Sequence, residues 1–416
     1  MYTLPGQVEL LDDGWLDRAR AFLEHELPAA RPAAFSLSER FTDAPPHLGF
    51  DGNVAAWTLR WDGTTVSVER GADLGADVVV EGDYQAALTG AQQVGFEQPA
   101  RAEAAWREVV QQYGKDAVRV RGRLVDDAVS TVLARLHDHL ARRTVENPDI
   151  HHRAVRQGLT EHIRHMQEHG YAVIERAISP EFADEVREAT LRVLSEHGVW
   201  SLQWMLYHGR PFELLAQQPQ LMTLIDASLG RGAVIASLSA IRKGPGPGVI
   251  PLHTDYAHVP EPYPEWAMTG VGVWAFEDWT EASGPTWVVP GSHRRRRGPR
   301  PGEAVEGGIP IEMPKGSVVF FTEGLWHWQG DRTERGERVT LHWHFNRGIL
   351  RSLEPKKVDE QMLHRNSPRL AEMLGEHDWF DKMSGIGRDH EKFGHMLQLH
   401  AFTKQQLAKV LDPSDG

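Results

Sequence analysis

The stretch Arg338-Val339-Thr340-Leu341-His342-Trp343-His344-Phe345 alternates polar and apolar residues without a break. Successive side chains on a strand point to opposite faces, so Arg338, Thr340, His342 and His344 share one face and Val339, Leu341, Trp343 and Phe345 the other. The apolar set suits packing against helices; the polar set looks into a cavity. A buried guanidinium is costly unless it meets an anion. Its planar fork matches a carboxylate, and a hydroxyl two residues on can reach the same group. This strand therefore walls a polar interior built to hold an acid.

Upstream, short apolar runs at 233–241, 271–276, 286–289 and 317–321 are set apart by Gly and Pro. Together with 338–345 they predict a jelly-roll or barrel of antiparallel strands, with a site near one open end. His253 and Asp255 stand at i and i+2, so on an extended segment they point the same way. His327 supplies a third ligand from a distant strand. Two histidines and one carboxylate close one face of a metal and leave the other open, the donor set of non-haem Fe(II) sites. Arg338 follows His327 by eleven residues, a spacing that predicts the adjoining strand of the same hairpin. A metal and a carboxylate clamp in one pocket imply a chelating acid as cosubstrate. The rival third ligands are His342 and His344 on the cavity face, His293 in a Pro-Gly-Ser-His turn, and His258 in a Pro-rich loop. His162, His165 and His169 share a face of a helix predicted over 155–169, but without a carboxylate partner they read as a solvated face.

Composition narrows the function. The 416 residues carry 45 basic and 58 acidic side chains, a formal charge of −13. That balance disfavours nonspecific contact with nucleic acid or an anionic membrane. The chain has no cysteine, which excludes disulfides, thiolate zinc sites and cysteine nucleophiles. No basic patch leads into an apolar run at the N-terminus, and no window reaches the roughly 18 apolar residues of a membrane span. These features predict a soluble, cytoplasmic protein with no nucleic-acid partner and no membrane span; the oligomeric state stays open, a homodimer included.

The first part of the chain reads as an α/β layer. Trp15, Leu16, Ala19, Phe22, Leu23 and Leu27 form a helical stripe over 13–27. Trp57, Leu59 and Trp61 alternate up to Asp62-Gly63, with Val66 and Val68 beyond it, which reads as a hairpin. Strands follow at 77–81 and at Val118 and Val120, with helix over 84–112 between them. A closing helix buries Val125, Val129, Val132, Leu133, Leu136 and Leu140. The stretches 59–63, 76–82 and 118–122 make residues 10–142 similar to sterol carrier protein-like domains, which shelter lipids or acyl chains; the plain alternative is a scaffold with an ordinary core. The polar stretch around Asn147-Pro148 marks a linker. The expected organisation is α+β in two domains: a small sterol carrier protein-like α/β domain at 1–145, then a double-stranded β-helix (jelly-roll, cupin-like) with flanking helices at 146–416.

Four ordered motifs carry a more specific resemblance: 170–175 (Gly-Tyr-Ala-Val-Ile-Glu), 252–255 (Leu-His-Thr-Asp), 284–293 (Gly-Pro-Thr-Trp-Val-Val-Pro-Gly-Ser-His) and 315–321 (Lys-Gly-Ser-Val-Val-Phe-Phe), followed by Trp326-His327 and Arg338. With these, residues 170–350 resemble the phytanoyl-CoA dioxygenase family of Fe(II)/2-oxoglutarate oxygenases. The resemblance implies iron on His253, Asp255 and His327, and Arg338 on the distal carboxylate of 2-oxoglutarate with Thr340 assisting. Trp274 is expected to border the cosubstrate. It further implies O2 as oxidant, succinate and CO2 as products, and hydroxylation of a small-molecule C–H bond, the substrate being apolar or carrier-linked in one reading. Desaturation and epoxidation stay open. Asp255 argues against halogenation, for which related enzymes carry a small residue there. Ile250 stands where many relatives place a polar residue that contacts the cosubstrate, so that contact is absent or comes from elsewhere, Gln203 being a candidate. Gln203 and Tyr256, with Trp204 and Trp266, are candidates for the substrate pocket. The alternative of another class is a lipid or acyl-chain carrier with an inactive barrel.

Two surface features remain. Arg294 to Arg297 with Arg300 form the basic cluster of an acidic chain, either a grip for a phosphate or coenzyme A, or a solvated turn. Residues 244–248 (Gly-Pro-Gly-Pro-Gly) lack the Lys-Ser/Thr of a phosphate loop and read as a flexible approach to His253. The tail reads as helical in pieces, one opening at Ser367-Pro368 and closing at Gly375. It either covers the barrel or pairs with a second subunit.

Overall fold

The structure is a computed structural model and describes residues 3, 6–123, 126–256, 259–303, 305–350, 359–376 and 390–412. Val125 and His258 lie outside them. The chain divides into two compact units, one of residues 1–152 with 358–371 and 377–402, the other of 153–357 with 372–376 and 403–416.

In the first unit the elements run β1 (Val8–Glu9), α1 (Asp13–Ala30), β2 (Phe35–Thr42), β3 (Ala55–Trp61), β4 (Val66–Arg70), β5 (Val78–Asp83), α2 (Tyr84–Ala91), α3 (Pro99–Tyr113), β6 (Val118–Gly122), α4 (Asp127–Ala141) and β7 (Thr144–Val145). A five-stranded sheet has the order β4-β3-β2-β5-β6, with β2 and β5 parallel. The stripes of α1 and α4 bury against Leu37, Trp57, Leu59 and Val78. Asp62 closes the β3–β4 hairpin by accepting from the N–H groups of Thr64 and Thr65, with Gly63 at φ 98. Strand β2 escapes the sequence pattern because Glu39 falls on the core face among Phe35, Leu37 and Phe41. Burial raises the pKa of Glu39, and its carboxyl accepts from the Trp57 indole at 2.8 Å.

The chain continues through α5 (Ile150–Arg156), α6 (Thr160–His169), β8 (Tyr171–Ile174), α7 (Pro180–His197), β9 (Ser201–Leu202), α8 (Arg210–Leu215), α9 (Pro219–Leu229), β10 (Val234–Lys243), β11 (Thr269–Ala275), β12 (Thr286–Val288), β13 (Ile309–Pro310), β14 (Val318–Thr322), β15 (His327–Gln329) and β16 (Arg338–Asn346). The single helix expected over 155–169 is two helices, because Gly158 turns the chain at φ 67. The side chain of Ser179 caps α7 by accepting from Phe182 N–H. The tail holds α10 (Glu360–Arg365), α11 (Pro368–Met373) and α12 (His390–Leu411). Among the described residues no helix is long and apolar enough to cross a membrane.

Two antiparallel sheets build the second unit: six strands in the order β8-β14-β11-β16-β10-β9 and three in the order β13-β12-β15. Val271, Val273, Val319 and Phe321 of the large sheet meet Val288 of the small one in a common core. This is the layered, cupin-like form expected from short punctuated strands. The outer face of the large sheet packs against α9, where Leu221 fills the space that a Cβ on Gly272 would touch at 3.4 Å. One expectation fails. His327 and Arg338 do not lie on one hairpin: β15 pairs with β12 in the small sheet, while β16 lies between β10 and β11 in the large one. The loop between them crosses from one sheet to the other.

Candidate metal centre

His253 and His327 face each other as a two-residue antiparallel bridge, each N–H donating to the other's carbonyl at 3.0 Å. Asp255 N–H donates to Glu323 O at 3.0 Å, which fixes Asp255 against the segment leading to His327. Both imidazoles are oriented alike. His253 Nδ1 lies 2.8 Å from Pro251 O and His327 Nδ1 lies 3.0 Å from Leu325 O. A carbonyl only accepts, so each Nδ1 carries the proton and each Nε2 presents its lone pair. Those Nε2 atoms point at one carboxylate: His253 Nε2 is 3.2 Å from Asp255 Oδ1, and His327 Nε2 is 3.6 Å from Asp255 Oδ2. A lone pair facing a carboxylate oxygen repels it unless a proton or a metal cation lies between them. The donor set and its orientation fit a divalent metal.

The electrostatics follow from the same contacts. Burial would lower the pKa of His253, but the hydrogen bond and charge of Asp255 outweigh it and raise it. Burial dominates at His327 and lowers it. Burial opposes ionisation of Asp255, yet His327 and His253 hold its carboxyl well below the usual range. Asp255 also comes within 4.8 Å of Glu323 and His344. His344 Nδ1 sits 3.0 Å from Glu323 Oε1, and the other Glu323 oxygen accepts from Thr269 Oγ1. His344 is thus carboxylate-bound beside the three-residue cluster, and His342 lies 3.0 Å from Thr340 Oγ1.

Further along the same face of β16, Arg338 is buried, only 3% exposed. Its Nη1 donates to Gly284 O, its guanidinium lies 5.0 Å over the Trp279 ring, and its Nε has no partner. Glu277, whose charge acts on it, pairs instead with Arg332 at 2.8 Å. Burial drives the pKa of Arg338 down to about 10. Opposite it in the β10–β16 register stands Lys243, also buried, with Nζ donating to Pro247 O at 2.7 Å. Two buried cations facing each other across strands are unfavourable unless an anion lies between them. Sequence reading missed Lys243 because the strand was ended at residue 241; two more residues of the same alternation would have found it.

Residues 166–338 match the phytanoyl-CoA dioxygenase (PhyH) family model. The match runs from the end of α6 through His253, Asp255 and His327 and stops at Arg338, and the family is one of iron- and 2-oxoglutarate-dependent oxygenases. The uncharacterized protein Rv1501 of Mycobacterium tuberculosis is 25% identical over 237 residues, covering 51% of this chain and 84% of its own. Mb1539 of Mycobacterium bovis, also uncharacterized, gives the same figures. Among solved structures, HygX of Streptomyces hygroscopicus with nickel and 2-oxoglutarate bound aligns at TM-score 0.41 and 13% identity, over 47% of this chain and 89% of that one. Its iron-bound form aligns at TM-score 0.40 and 14% identity, over 47% and 89%.

The remaining candidates in and around the matched segment separate clearly. Thr340 shares the interior face with Arg338 and is buried. Trp274 does not border that interior. It pairs with Leu341 and Val318, on the face turned to the helices, because only odd-numbered residues of β11 from Val271 to Ala275 look inward. Gln203 follows the edge strand β9 and is exposed. Tyr256 is buried, its hydroxyl accepting from Met268 N–H at 2.7 Å, and with Trp266 it lines a cavity of about 750 Å³ whose walls do not include the triad. The arginine cluster is occupied by acids: Arg297 grips Glu303 at 2.8 and 2.7 Å, Arg300 meets Glu261 at 2.6 Å, and Arg296 meets Glu265 at 3.0 Å. The approach at 244–248 is tied down too, through Gly246 to Arg332 and Gly248 N–H to Asp331.

Proposed function

We propose that this chain is an Fe(II)- and 2-oxoglutarate-dependent dioxygenase that hydroxylates a C–H bond of a small molecule and releases succinate and CO2. The observation that carries the reading is the convergence of two imidazole Nε2 lone pairs on Asp255. His253, Asp255 and His327 hold the iron; Arg338, with Lys243 facing it and Thr340 two residues on, holds the distal carboxylate of 2-oxoglutarate. Iron held there would supply the redox chemistry that couples oxidative decarboxylation of 2-oxoglutarate by O2 to hydroxylation of the substrate, one oxygen atom going to succinate and one to the product. The chain orients and shields: Pro251 and Leu325 carbonyls set the imidazole tautomers, and the inward Val271, Val273 and Phe321 keep water from the reacting centre. Asp255 fills the coordination position a halide would need, which favours hydroxylation over halogenation.

Residues 1–145 are proposed as the sterol carrier protein-like domain, and within 146–416 the stretch 153–357 as the body of the oxygenase, the tail segments 358–371 and 377–402 clustering with the first unit; a five-stranded sheet packed against α1 and α4 supports the former. The cleft of about 280 Å³ on the first unit is lined by Arg101, Asp138, Arg142 and His364. That charged lining lends no weight to a role as a lipid carrier with an inactive barrel.

Anaerobic addition of Fe(II) and 2-oxoglutarate to metal-free protein is expected to give the visible charge-transfer band of the chelate. His253→Ala or Asp255→Ala should abolish or strongly weaken it. A full-strength band in both variants would sink the assignment.

A further inference from the structure

We propose that the arginine-rich turn 294–303 is a positioning segment that sets the two ligand-bearing stretches of the metal centre against each other. One arm reaches Thr254, the residue between His253 and Asp255. The buried Thr254 Oγ1 lies 3.2 Å from the Tyr263 hydroxyl. Tyr263 is held to the turn at two points, its N–H donating to Arg296 O at 2.7 Å and its carbonyl accepting from Arg296 Nε at 2.6 Å. On the same loop Glu261 accepts from Gly298 N–H at 2.9 Å and from Arg300 at 2.6 Å. The other arm reaches Trp326, the neighbour of His327. Its indole N–H donates to Arg297 O at 2.8 Å, its backbone N–H donates to Ser292 Oγ at 2.8 Å, and the guanidinium carbons of Arg295 and Arg297 lie 4.4 and 5.0 Å from its ring. Glu303 joins the arms, chelating Arg297 while accepting from Arg300 N–H at 2.8 Å.

Arg295, Arg296, Arg297 and Arg300 thus direct their charge at Glu303, Glu265 and Glu261. An exposed pair contributes little to stability by itself. A ligand set is more demanding: losing a group hydrogen-bonded to a ligand costs roughly 10–100-fold in metal affinity, and the turn acts one residue further out, through Thr254 and Trp326. The inference rests on His253, Asp255 and His327 being the metal ligands, and the test separates the two claims.

Co(II), which reports its geometry through visible d–d absorption, is titrated into the metal-free full chain. The variants are Arg297→Ala, Arg300→Glu, Arg300→Lys, which keeps a cation against Glu261, and Lys315→Ala, which removes an unrelated surface pair to Asp184 of 2.6 Å. Arg297→Ala and Arg300→Glu are expected to weaken Co(II) binding by about 10-fold and to alter the band shape. Arg300→Lys should keep both close to wild type, and Lys315→Ala should change neither. Wild-type protein that takes up no Co(II) would overturn the ligand assignment. Wild-type uptake with unaltered affinity and spectrum in Arg297→Ala and Arg300→Glu would overturn the positioning role alone, as would Arg300→Lys weakening binding as much as Arg300→Glu.

Discussion

At the scale of single residues, Arg338 and Lys243 give the clearest forecast. Each is buried and each faces a like charge, so an anion between them relieves both. Removing one member of a buried charge pair costs about 2 kcal/mol or more. Arg338→Ala should therefore weaken 2-oxoglutarate binding at least about 30-fold. Lys243→Ala should weaken it less, because Pro247 O already holds the ammonium. Titration of the charge-transfer band checks both, with Co(II) affinity unchanged. Trp274→Phe is the contrast: its indole N–H is buried without a partner and points away from the clamp, so 2-oxoglutarate affinity should stay within about twofold. His342 carries a pH signature. Burial lowers its pKa to about 3, below the ordinary value of about 6.5 kept by the unfolded chain. The unfolded chain thus takes the proton first as pH falls. Stability is complete above the ordinary value and is lost progressively as pH drops from there toward 3. His342→Gln should flatten that part of a plot of melting temperature against pH.

At the scale of elements, what was legible depended on whether one face stayed uniform. β16 was readable because each of its apolar positions is buried against helices and each polar one serves the interior. β2 was not, because a carboxyl bonded to Trp57 occupies a core position and hides the period. The clustering of His253, Asp255 and His327 was legible from residue type and spacing, whereas the sheet membership of β15 was not. Adjacency in sequence says nothing of a loop that crosses between layers. Trp274 was misplaced for a related reason: its side of β11 depends on register with β14 and β16, which a single strand does not encode. The junction of α6 and β8 shows a local rule that sequence does carry. Gly170 sits at φ 87, and a Cβ there would lie 2.5 Å from His293 Nδ1 and 2.9 Å from Leu325. Gly170→Ala should cost about 1–2 kcal/mol for the left-handed backbone and about 1–3 kcal/mol more for overpacking, read as a lower denaturant midpoint.

At the scale of the whole molecule, the tail decides how the chain can be cut. Residues 358–371 and 377–402 cluster with the first unit, and 372–376 and 403–416 with the second. Within the first unit Phe402 packs edge-on against His47 at 5.6 Å, and Arg369 pairs with Glu146 at 3.0 Å. Both the arginine and the phenylalanine are buried. A fragment of residues 1–152 therefore lacks part of its own packing, although the linker around Asn147-Pro148 makes its end an obvious place to cut. Burying a Phe contributes about 1.5–3 kcal/mol, and taking the Arg369 guanidinium from beside the Glu146 carboxylate adds an electrostatic cost. Against a marginal total of roughly 5–15 kcal/mol, that loss is large. The fragment should melt below the first unit of the intact chain and bind a dye that reports exposed apolar surface. Adding residues 358–402 through a flexible linker should restore the melting temperature, because those residues return the missing contacts and bring only 372–376 of the second unit. If the bare fragment melts as the intact chain does and binds no dye, the tail is a passenger and the unit ends where the linker begins.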